Sequence, residues 1–235
     1  MNIAHQKRAR KATIRVGDAR GFVVNSGRFT IGNPGRYVIT AAHCLPNLPP
    51  AHPWARIEER TFEKLLGPLG DKPAISAECV FVDPTRDIAV LASPDGGEFP
   101  DEAEAYDQLV FHESSALRVG DLPESSSTWV RNRMKRDERL ATVWLLHLDN
   151  EWLHCSAKTQ SGCGIWLSEA TKSLASGMSG SPCLSVDGAA VGVFGNTVGA
   201  TGLEDHREGG PQARLTQSLP GWLLRKIQVT RPVSG

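Results

Sequence analysis

The sequence Gly177-Met178-Ser179-Gly180-Ser181-Pro182 places two glycines, two serines and a proline within six residues. Glycines on both sides of a serine suit a tight turn whose backbone takes conformations that a side chain would forbid. Such a turn can expose a serine hydroxyl and direct nearby backbone N–H groups at one point, as a nucleophile and its oxyanion hole require. The hexapeptide is equally compatible with a hairpin turn that has no chemistry, so a base and an acid must be found elsewhere.

A histidine and an aspartate in the first half lie beside predicted strands. His43 follows the apolar run Arg36-Tyr37-Val38-Ile39-Thr40, and Asp87 opens the run Asp87-Ile88-Ala89-Val90-Leu91. Each also has a structural interpretation, because a histidine at a strand end can be a satisfied core residue and an aspartate there can cap N–H groups. Together with Ser179 they have the residue types needed for a nucleophile, a general base and the acid that orients that base.

Short strands are predicted in two clusters along the chain. β-Branched and aromatic runs, cut by Gly, Pro and Asn turn signals, occur between residues 13 and 91 and again beyond residue 127. A Ser-, Gly- and Pro-containing stretch separates them. This pattern predicts an all-β protein of two packed antiparallel barrels.

The predicted units are a barrel at 13–111 carrying His43 and Asp87, a linker at 112–126 and a barrel at 127–235 carrying Ser179. The run from Ser218 to Ile227 has a serine N-cap and a proline near its start, which predicts a short C-terminal α-helix.

Composition and charge argue against several classes of partner. Lys plus Arg number 26 and Asp plus Glu number 26, so nothing favours a nucleic acid or an anionic membrane. The chain lacks an apolar run of roughly 18 residues and its first residues lack the apolar core of a secretory signal. We therefore expect a cytoplasmic protein, with the basic run in residues 1–12 as a solvated tail.

Cysteine and histidine usage predicts neither a disulfide framework nor a metal site. The five cysteines are an odd number without CxxC spacing, which indicates free thiols. His147, His154 and Cys155 lie close in sequence but lack a fourth ligand at suitable spacing. We predict no metal and no cofactor.

Read jointly, Thr40-Ala41-Ala42-His43-Cys44, Asp87-Ile88-Ala89-Val90-Leu91 and the Gly177–Pro182 stretch resemble the three signature blocks of trypsin-like (chymotrypsin-fold) serine proteases. They occur in that family's order, and the resemblance runs from about residue 13 to about residue 228. It implies two packed six-stranded antiparallel β-barrels with a short C-terminal α-helix.

The resemblance also implies a role for each matching residue. His43 would be the general base, Asp87 its orienting partner and Ser179 the nucleophile, which lies between the two glycines as Ser181 does not. The backbone N–H groups of Gly177 and Ser179 would form the oxyanion hole. Substrate-binding positions would be Ser173, near the base of the primary specificity pocket, and the strand residues Val193, Phe194 and Gly195.

Three departures from the family's vertebrate digestive members are visible. Met178 stands where those members carry an aspartate that pairs with a newly cut N-terminus. Arg28 stands where Cys44 would have a disulfide partner. Ser173 is not acidic, which argues against a preference for Arg or Lys. The chain more closely resembles bacterial members, including glutamyl endopeptidases, which also have Gly-Ser-Pro after the nucleophile.

The sequence therefore predicts a serine endopeptidase that cleaves a protein or peptide substrate through an acyl-enzyme intermediate. A broadly specific cytoplasmic protease would be hazardous, so we expect narrow specificity, or a regulatory protein partner acting on a latent Gly177–Ser179 turn. The alternatives are a catalytically silent module that binds peptides in the groove between the barrels and a non-proteolytic esterase.

Overall fold

The computed structural model describes residues 1–25, 35–50, 55–120, 141–160, 164–195 and 214–218. The predicted C-terminal helix beyond Ser218 lies outside the described residues, as do residues 28–31 of the first predicted barrel, 127–130 of the second and 121–126 of the predicted linker. The fold described below therefore concerns the two barrels and the N-terminal segment.

The first barrel is built from six antiparallel strands. Neighbouring strands follow the order β1-β2-β3-β6-β5-β4, and β4 closes the barrel against β1. Its interior holds the β-branched and aromatic runs that predicted the strands, with Phe22, Val38 and Ile39 fully buried. The strands are β1 Thr13–Val16, β2 Ala19–Asn25, β3 Arg36–Thr40, β4 Thr61–Gly67, β5 Ile75–Asp83 and β6 Ile88–Ala92.

The second barrel repeats this architecture. Its strand order is β10-β11-β12-β9-β8-β7, and the pair Leu184–Trp144 closes it between β10 and β7. The predicted fold of two six-stranded barrels is confirmed. The strands are β7 Ala141–Leu146, β8 Trp152–Gln160, β9 Gly164–Ser168, β10 Pro182–Leu184, β11 Ala190–Val193 and β12 Arg214–Ser218.

The helices in the described part of the chain are short, and none of them is long and apolar enough to cross a bilayer. Residues 117–119 join the two barrels: Leu117 bridges to Val24 of β2, and Val119 bridges to Ala190 of β11. The helices are α1 Ile3–Ala12, α2 Ile57–Arg60, α3 Pro100–Asp107, a 3-10 turn at Ala42–Cys44 and a π-helix at Gln108–Glu113.

The N-terminal segment is a packed helix, so the prediction of a solvated tail is wrong for residues 3–12. Ala9 and Ala12 of α1 are fully buried, and the Arg8 side chain donates to the Ala116 carbonyl at 2.9 Å. Two alanines on one helix face let the backbone approach the barrel closely, while most of the basic side chains stay exposed. A hydrophobicity pattern does not reveal such a contact.

The cysteines in the described residues are all buried: Cys44, Cys79, Cys155 and Cys183. Burial raises the pKa of the Cys79 thiol to about 11 and that of the Cys155 thiol to about 12. These two thiols are therefore protonated and unreactive near neutral pH.

Replacing Ala9 by glutamate should destabilise the fold. Ala9→Glu puts a carboxylate into the contact between α1 and the first barrel, and burying an unpaired charge there should lower the free energy of unfolding by about 2 kcal/mol or more. Ala4→Glu is the matched control, because Ala4 is exposed on the same helix. Urea denaturation measures both. Equal, small effects would mean that α1 does not dock in solution.

Candidate active site

His43 and Asp87 meet at one end of the first barrel. β3 and β6 pair side by side, with Thr40 opposite Ala89, so the residues after β3 and before β6 emerge at the same edge. His43 Nδ1 lies 2.7 Å from Asp87 Oδ2, and the His43 backbone N–H donates to Asp87 Oδ1 at 2.9 Å. A carboxylate only accepts, so Nδ1 carries the shared proton and Nε2 is left for other chemistry.

Asp87 holds this geometry in a left-handed backbone conformation, with φ at +52°. Such a conformation is uncommon for residues other than glycine, although aspartate adopts it more readily than most. It carries a strain of about 1 kcal/mol, and backbone strain of this kind concentrates at functional sites. The strained backbone at Asp87 therefore favours a functional role for this residue.

The charge state of His43 is set mainly by this contact. The hydrogen bond with Asp87, and secondarily a hydrogen bond with the Cys44 side chain, raise the pKa of His43 to about 10 against the opposing effect of burial. In the absence of substrate, the imidazole is therefore largely protonated at neutral pH and becomes a base as the pH rises towards 10.

Ser179 lies on a turn whose shape depends on the preceding glycine. Gly177 has φ at +88°, and the Met178 N–H donates to the Ala175 carbonyl at 3.3 Å, which closes a β-turn over Ala175–Met178. A positive φ at the third residue is the signature of a type II turn and favours glycine there. Ser179 itself is 5% exposed.

Two N–H groups of this turn donate to no acceptor within the described residues, those of Gly177 and Ser179. Those of the other turn residues are used: Met178 donates to Ala175, Gly180 to Phe194 and Ser181 to Met178. A turn with alternate N–H groups unpaired can bind a negatively charged oxygen. These are the two groups that the sequence predicts for the oxyanion hole.

Met178 anchors the turn from the inside. Its side chain is fully buried in the core of the second barrel, and its sulfur accepts the Ala175 N–H at 3.4 Å. The position where digestive family members carry an aspartate is thus occupied by an apolar side chain. The turn is held in this shape by the packing of Met178 and by its two hydrogen bonds with Ala175.

Ser181 is a poorer candidate for the nucleophile than Ser179. Its side chain is fully buried, and its hydroxyl has no hydrogen-bond partner in the part of the chain that the structure describes. A substrate carbonyl has no access to it in this arrangement.

The Ser179 turn packs directly on the first barrel. The Arg20 N–H of β2 donates to the Ser179 carbonyl at 2.9 Å. At Gly180, where φ is +79°, a Cβ atom would lie 1.8 Å from the Arg20 carbonyl oxygen and 2.5 Å from Thr40 Oγ1. Only glycine permits this approach. Since Thr40 is three residues from His43, the turn is held beside the edge that carries the histidine.

A second contact relates the other side of the turn to Asp87. The Gly180 N–H donates to the Phe194 carbonyl at 2.7 Å, and a Cβ atom at the next residue, Gly195, would lie 3.0 Å from Asp87 Oδ2. No hydrogen bond joins the Ser179 hydroxyl to His43 among the described residues, and in unliganded enzymes such catalytic bonds are often long.

Two of the predicted substrate-binding residues have another use. Val193 lies inside the sheet, paired with Pro182 on one side and Gln217 on the other. Phe194 donates its N–H to Ser181 and accepts the Gly180 N–H. Because these backbone groups are used within the protein, the predicted pairing of substrate along Val193 and Phe194 needs correction. β11 ends at Val193, so Phe194 and Gly195 both lie past its end.

Ser173 is exposed in the segment between β9 and the Ser179 turn. Its predicted place at the base of a specificity pocket stays a prediction. The cavity of about 330 Å³ beside α1 is lined by residues such as Arg10, Leu109 and Asn150, and none of the predicted site residues borders it.

A comparison with protein families identifies the family of this chain. A family profile described as trypsin-like peptidase domain matches residues 19–193, a range that includes His43, Asp87 and Ser179. The chain belongs to the trypsin-like peptidase family. A comparison with curated proteins found no match to this chain.

Among solved structures, the chain is similar to the apo crystal structure of the MamO protease domain from Magnetospirillum magneticum. The two are 14% identical, with a TM-score of 0.48, and the match covers 95% of this chain and 98% of that one.

Arg20 and Thr40 are the residues that sequence reasoning missed. Both are buried polar residues beside the Ser179 turn: the Arg20 N–H donates to the Ser179 carbonyl, and the Thr40 hydroxyl donates to the Arg20 carbonyl. The signal available in the sequence was the arginine within the apolar run Ala19-Arg20-Gly21-Phe22-Val23, where a charged side chain is unexpected.

Gly180→Ala should disrupt the contact between the Ser179 turn and β2. The added Cβ would collide with the backbone of Arg20. We therefore expect Gly180→Ala to lower the free energy of unfolding by at least about 2 kcal/mol more than a substitution that adds only backbone strain. Gly70→Ala is the matched control, because Gly70 has φ at +103° and open space around its Cβ position. Urea denaturation compares them. Equal losses would show that β2 and the turn are not in contact.

The His43 titration should be displaced far from that of an ordinary histidine. NMR of the imidazole should give a pKa of about 10 in the wild type, and Asp87→Asn should return it towards about 6.5 because the charged partner is lost. A wild-type His43 pKa close to the ordinary value of about 6.5, or the same pKa in Asp87→Asn, would contradict the described pair.

Proposed function

We propose that the protein is a serine endopeptidase that cleaves peptide bonds of a protein substrate through an acyl-enzyme intermediate. The observation that carries the proposal is the place where the barrels meet, which has three features: a histidine bonded twice to an aspartate, a serine on a glycine-rich turn, and two N–H groups beside that serine that donate to no acceptor in the described part of the chain. Membership of the trypsin-like peptidase family supports the same class of chemistry.

The proposed reaction assigns a task to each residue. The Ser179 hydroxyl attacks the scissile carbonyl while its proton passes to His43 Nε2, and Asp87 stabilises the resulting imidazolium. The Gly177 and Ser179 N–H groups bind the oxyanion. The proton on His43 moves to the departing amine, which leaves the acyl-enzyme. Water then repeats the sequence, releases the acid and restores the serine.

The raised pKa of His43 bears on the working range of this reaction. A general base must be unprotonated at the start of the cycle, and the free-enzyme imidazole has a pKa of about 10. The fraction of enzyme with an unprotonated His43 therefore increases with pH and reaches one half at that pKa. A peptidase of this kind is favoured in alkaline solution, unless bound substrate weakens the contact with Asp87.

Narrow specificity, or control by a protein partner, remains part of the proposal. Ser173 is not acidic, which argues against a general preference for Arg or Lys. The turn of Gly177 is already in its left-handed form and is anchored by buried Met178. This argues against the predicted latency through a misformed turn and favours control through access of substrate. A cytoplasmic location is likewise proposed.

A catalytically silent peptide-binding module is the second candidate. Two observations favour it: Ser179 is 5% exposed, and the pKa of His43 keeps the imidazole protonated at neutral pH. In that case the groove would bind a peptide without cleaving it.

A fluorophosphonate probe should label the wild type at Ser179, because its phosphorus is attacked by an activated serine. Ser179→Ala should abolish labelling, and His43→Ala should slow it about 10²- to 10⁴-fold through loss of the base. Mass spectrometry of tryptic peptides identifies the labelled residue. Ser181→Ala is the matched control and should label like the wild type if it folds like the wild type.

The same proteins separate the two candidate functions. Absence of labelling up to pH 10, together with binding of peptides from a library that are not cleaved, would contradict the peptidase and support the silent module. Turnover of ester but not amide substrates would indicate an esterase instead.

A further inference from the structure

Arg20 is a buried cation without an anionic partner in the described residues. Its side chain is 5% exposed, and burial lowers the pKa of its guanidinium below the ordinary value. Its donors instead meet two main-chain oxygens: Nη1 donates to the Leu146 carbonyl at 2.5 Å and Nη2 to the His147 carbonyl at 3.2 Å. Arginine is rarely buried without a carboxylate, so this placement calls for an explanation.

The backbone of Arg20 also contacts the nucleophile. Its N–H donates to the Ser179 carbonyl, and its own carbonyl accepts the hydroxyl of buried Thr40 at 2.7 Å. That carbonyl is also the atom that Gly180 approaches. One residue of the first barrel therefore contacts the Ser179 turn with its main chain and the end of β7 with its side chain.

The end of β7 leads to the other half of the oxyanion turn. Leu146 ends this strand, and the next residues form a turn closed by the hydrogen bond from the Asn150 N–H to the His147 carbonyl at 3.1 Å. Within it Leu148 is brought beside Gly177, so that a Cβ on Gly177 would lie 3.7 Å from Leu148 Cδ2. We call residues 147–150 the Leu148 turn.

Other contacts brace the outer side of the Leu148 turn. Lys172 is 2.9 Å from Asp149 Oδ2 and also pairs with Glu151, and the Arg10 side chain of α1 donates to the Asn150 carbonyl at 2.5 Å. These contacts are exposed and are therefore weak. Of the three cations, Arg20 is the one that is buried and that also touches Ser179.

We propose that Arg20 is a positioning residue that fixes both N–H groups of the oxyanion hole. It acts on Ser179 through its backbone and on Gly177 through its guanidinium, the carbonyl end of β7 and Leu148. The inference rests on the proposed peptidase function. A guanidinium is needed because its planar fork satisfies two carbonyls at once, which one lysine ammonium does less well and methionine does not do at all.

The kinetic test uses Arg20→Met, Arg20→Lys and the control Arg15→Met. Arg15 lies opposite Arg20 on the neighbouring strand, but its partly exposed side chain points to other partners and donates to Gly17 and Asp18. On a cleaved peptide substrate, Arg20→Met should lower kcat about 10- to 100-fold with little change in KM, because the catalytic groups are misplaced by a fraction of an ångström. Arg20→Lys should lose less, and Arg15→Met should match the wild type.

A ligand comparison separates positioning from a general loss of stability. A peptide aldehyde forms a tetrahedral adduct that uses the oxyanion hole, whereas the product peptide does not. Arg20→Lys, measured well below its melting temperature, should lose aldehyde affinity in parallel with kcat and keep product affinity. Equal loss of both affinities, or an unchanged kcat, would overturn the proposal.

A measurement that does not need activity distinguishes failure of this inference from failure of the proposed function. The amide ¹H–¹⁵N resonances of Gly177 and Ser179 should shift in Arg20→Lys and stay in place in Arg15→Met. If the wild type is inactive and these resonances shift, the peptidase proposal fails while the positioning role stands. If they do not shift, Arg20 does not set the turn, whatever the activity.

Should Arg20→Met fold poorly, a double-mutant cycle of Arg20→Lys with Leu148→Ala decides the route. Leu148 is exposed, so its truncation leaves the core intact. If Arg20 acts through Leu148, the fold loss in kcat of the double variant should be smaller than the product of the fold losses of the two single variants. Independent, multiplying losses would contradict that route.

Discussion

The contact between the Ser179 turn and β2 is the constraint on which the site depends. Two main chains approach there so closely that no side chain fits between them, and the absence of a Cβ at Gly180 is what allows it. The Arg20 N–H and the Ser179 carbonyl are joined across this gap. Because Ser179 is carried by one barrel and His43 by the other, this backbone contact fixes how the two barrels meet beside both residues.

The electrostatics of the site follow from the two barrel edges that meet there. Asp87 bonds both the ring and the main chain of His43, which fixes the imidazole in place and raises its pKa. On the other side, the oxyanion turn is held by buried Met178 rather than by an ion pair. Packing of this buried side chain therefore holds the turn in the described structure.

Much of the fold and the main candidate residues could be predicted from sequence, because the signals are local. Short β-branched runs between turn residues predict strands, and a serine between two glycines predicts a tight turn. His43 and Asp87 could be singled out because each follows or opens such a strand. The structure then adds the hydrogen bonds that join them.

Other features depend on contacts between distant parts of the chain and could not be predicted. The polar sequence of α1 hides the two alanines that dock it, and the partners of Arg20, an arginine within an apolar run, become visible only when β7 is placed beside it. Phe194 looked free to pair with substrate, yet the register of β10 and β11 uses both of its backbone groups. In each case the missing information was which backbone groups meet.

The most direct test of the account is a crystal structure of the protein after reaction with a fluorophosphonate. The account predicts phosphorus bonded to Ser179 Oγ, its oxygen within hydrogen-bond distance of the Gly177 and Ser179 N–H groups, and His43 Nε2 facing the adduct. It also predicts that the Arg20–Ser179 and Arg20–Leu146 hydrogen bonds persist in the adduct. An adduct on another residue, or a phosphonyl oxygen pointing away from both N–H groups, would contradict it.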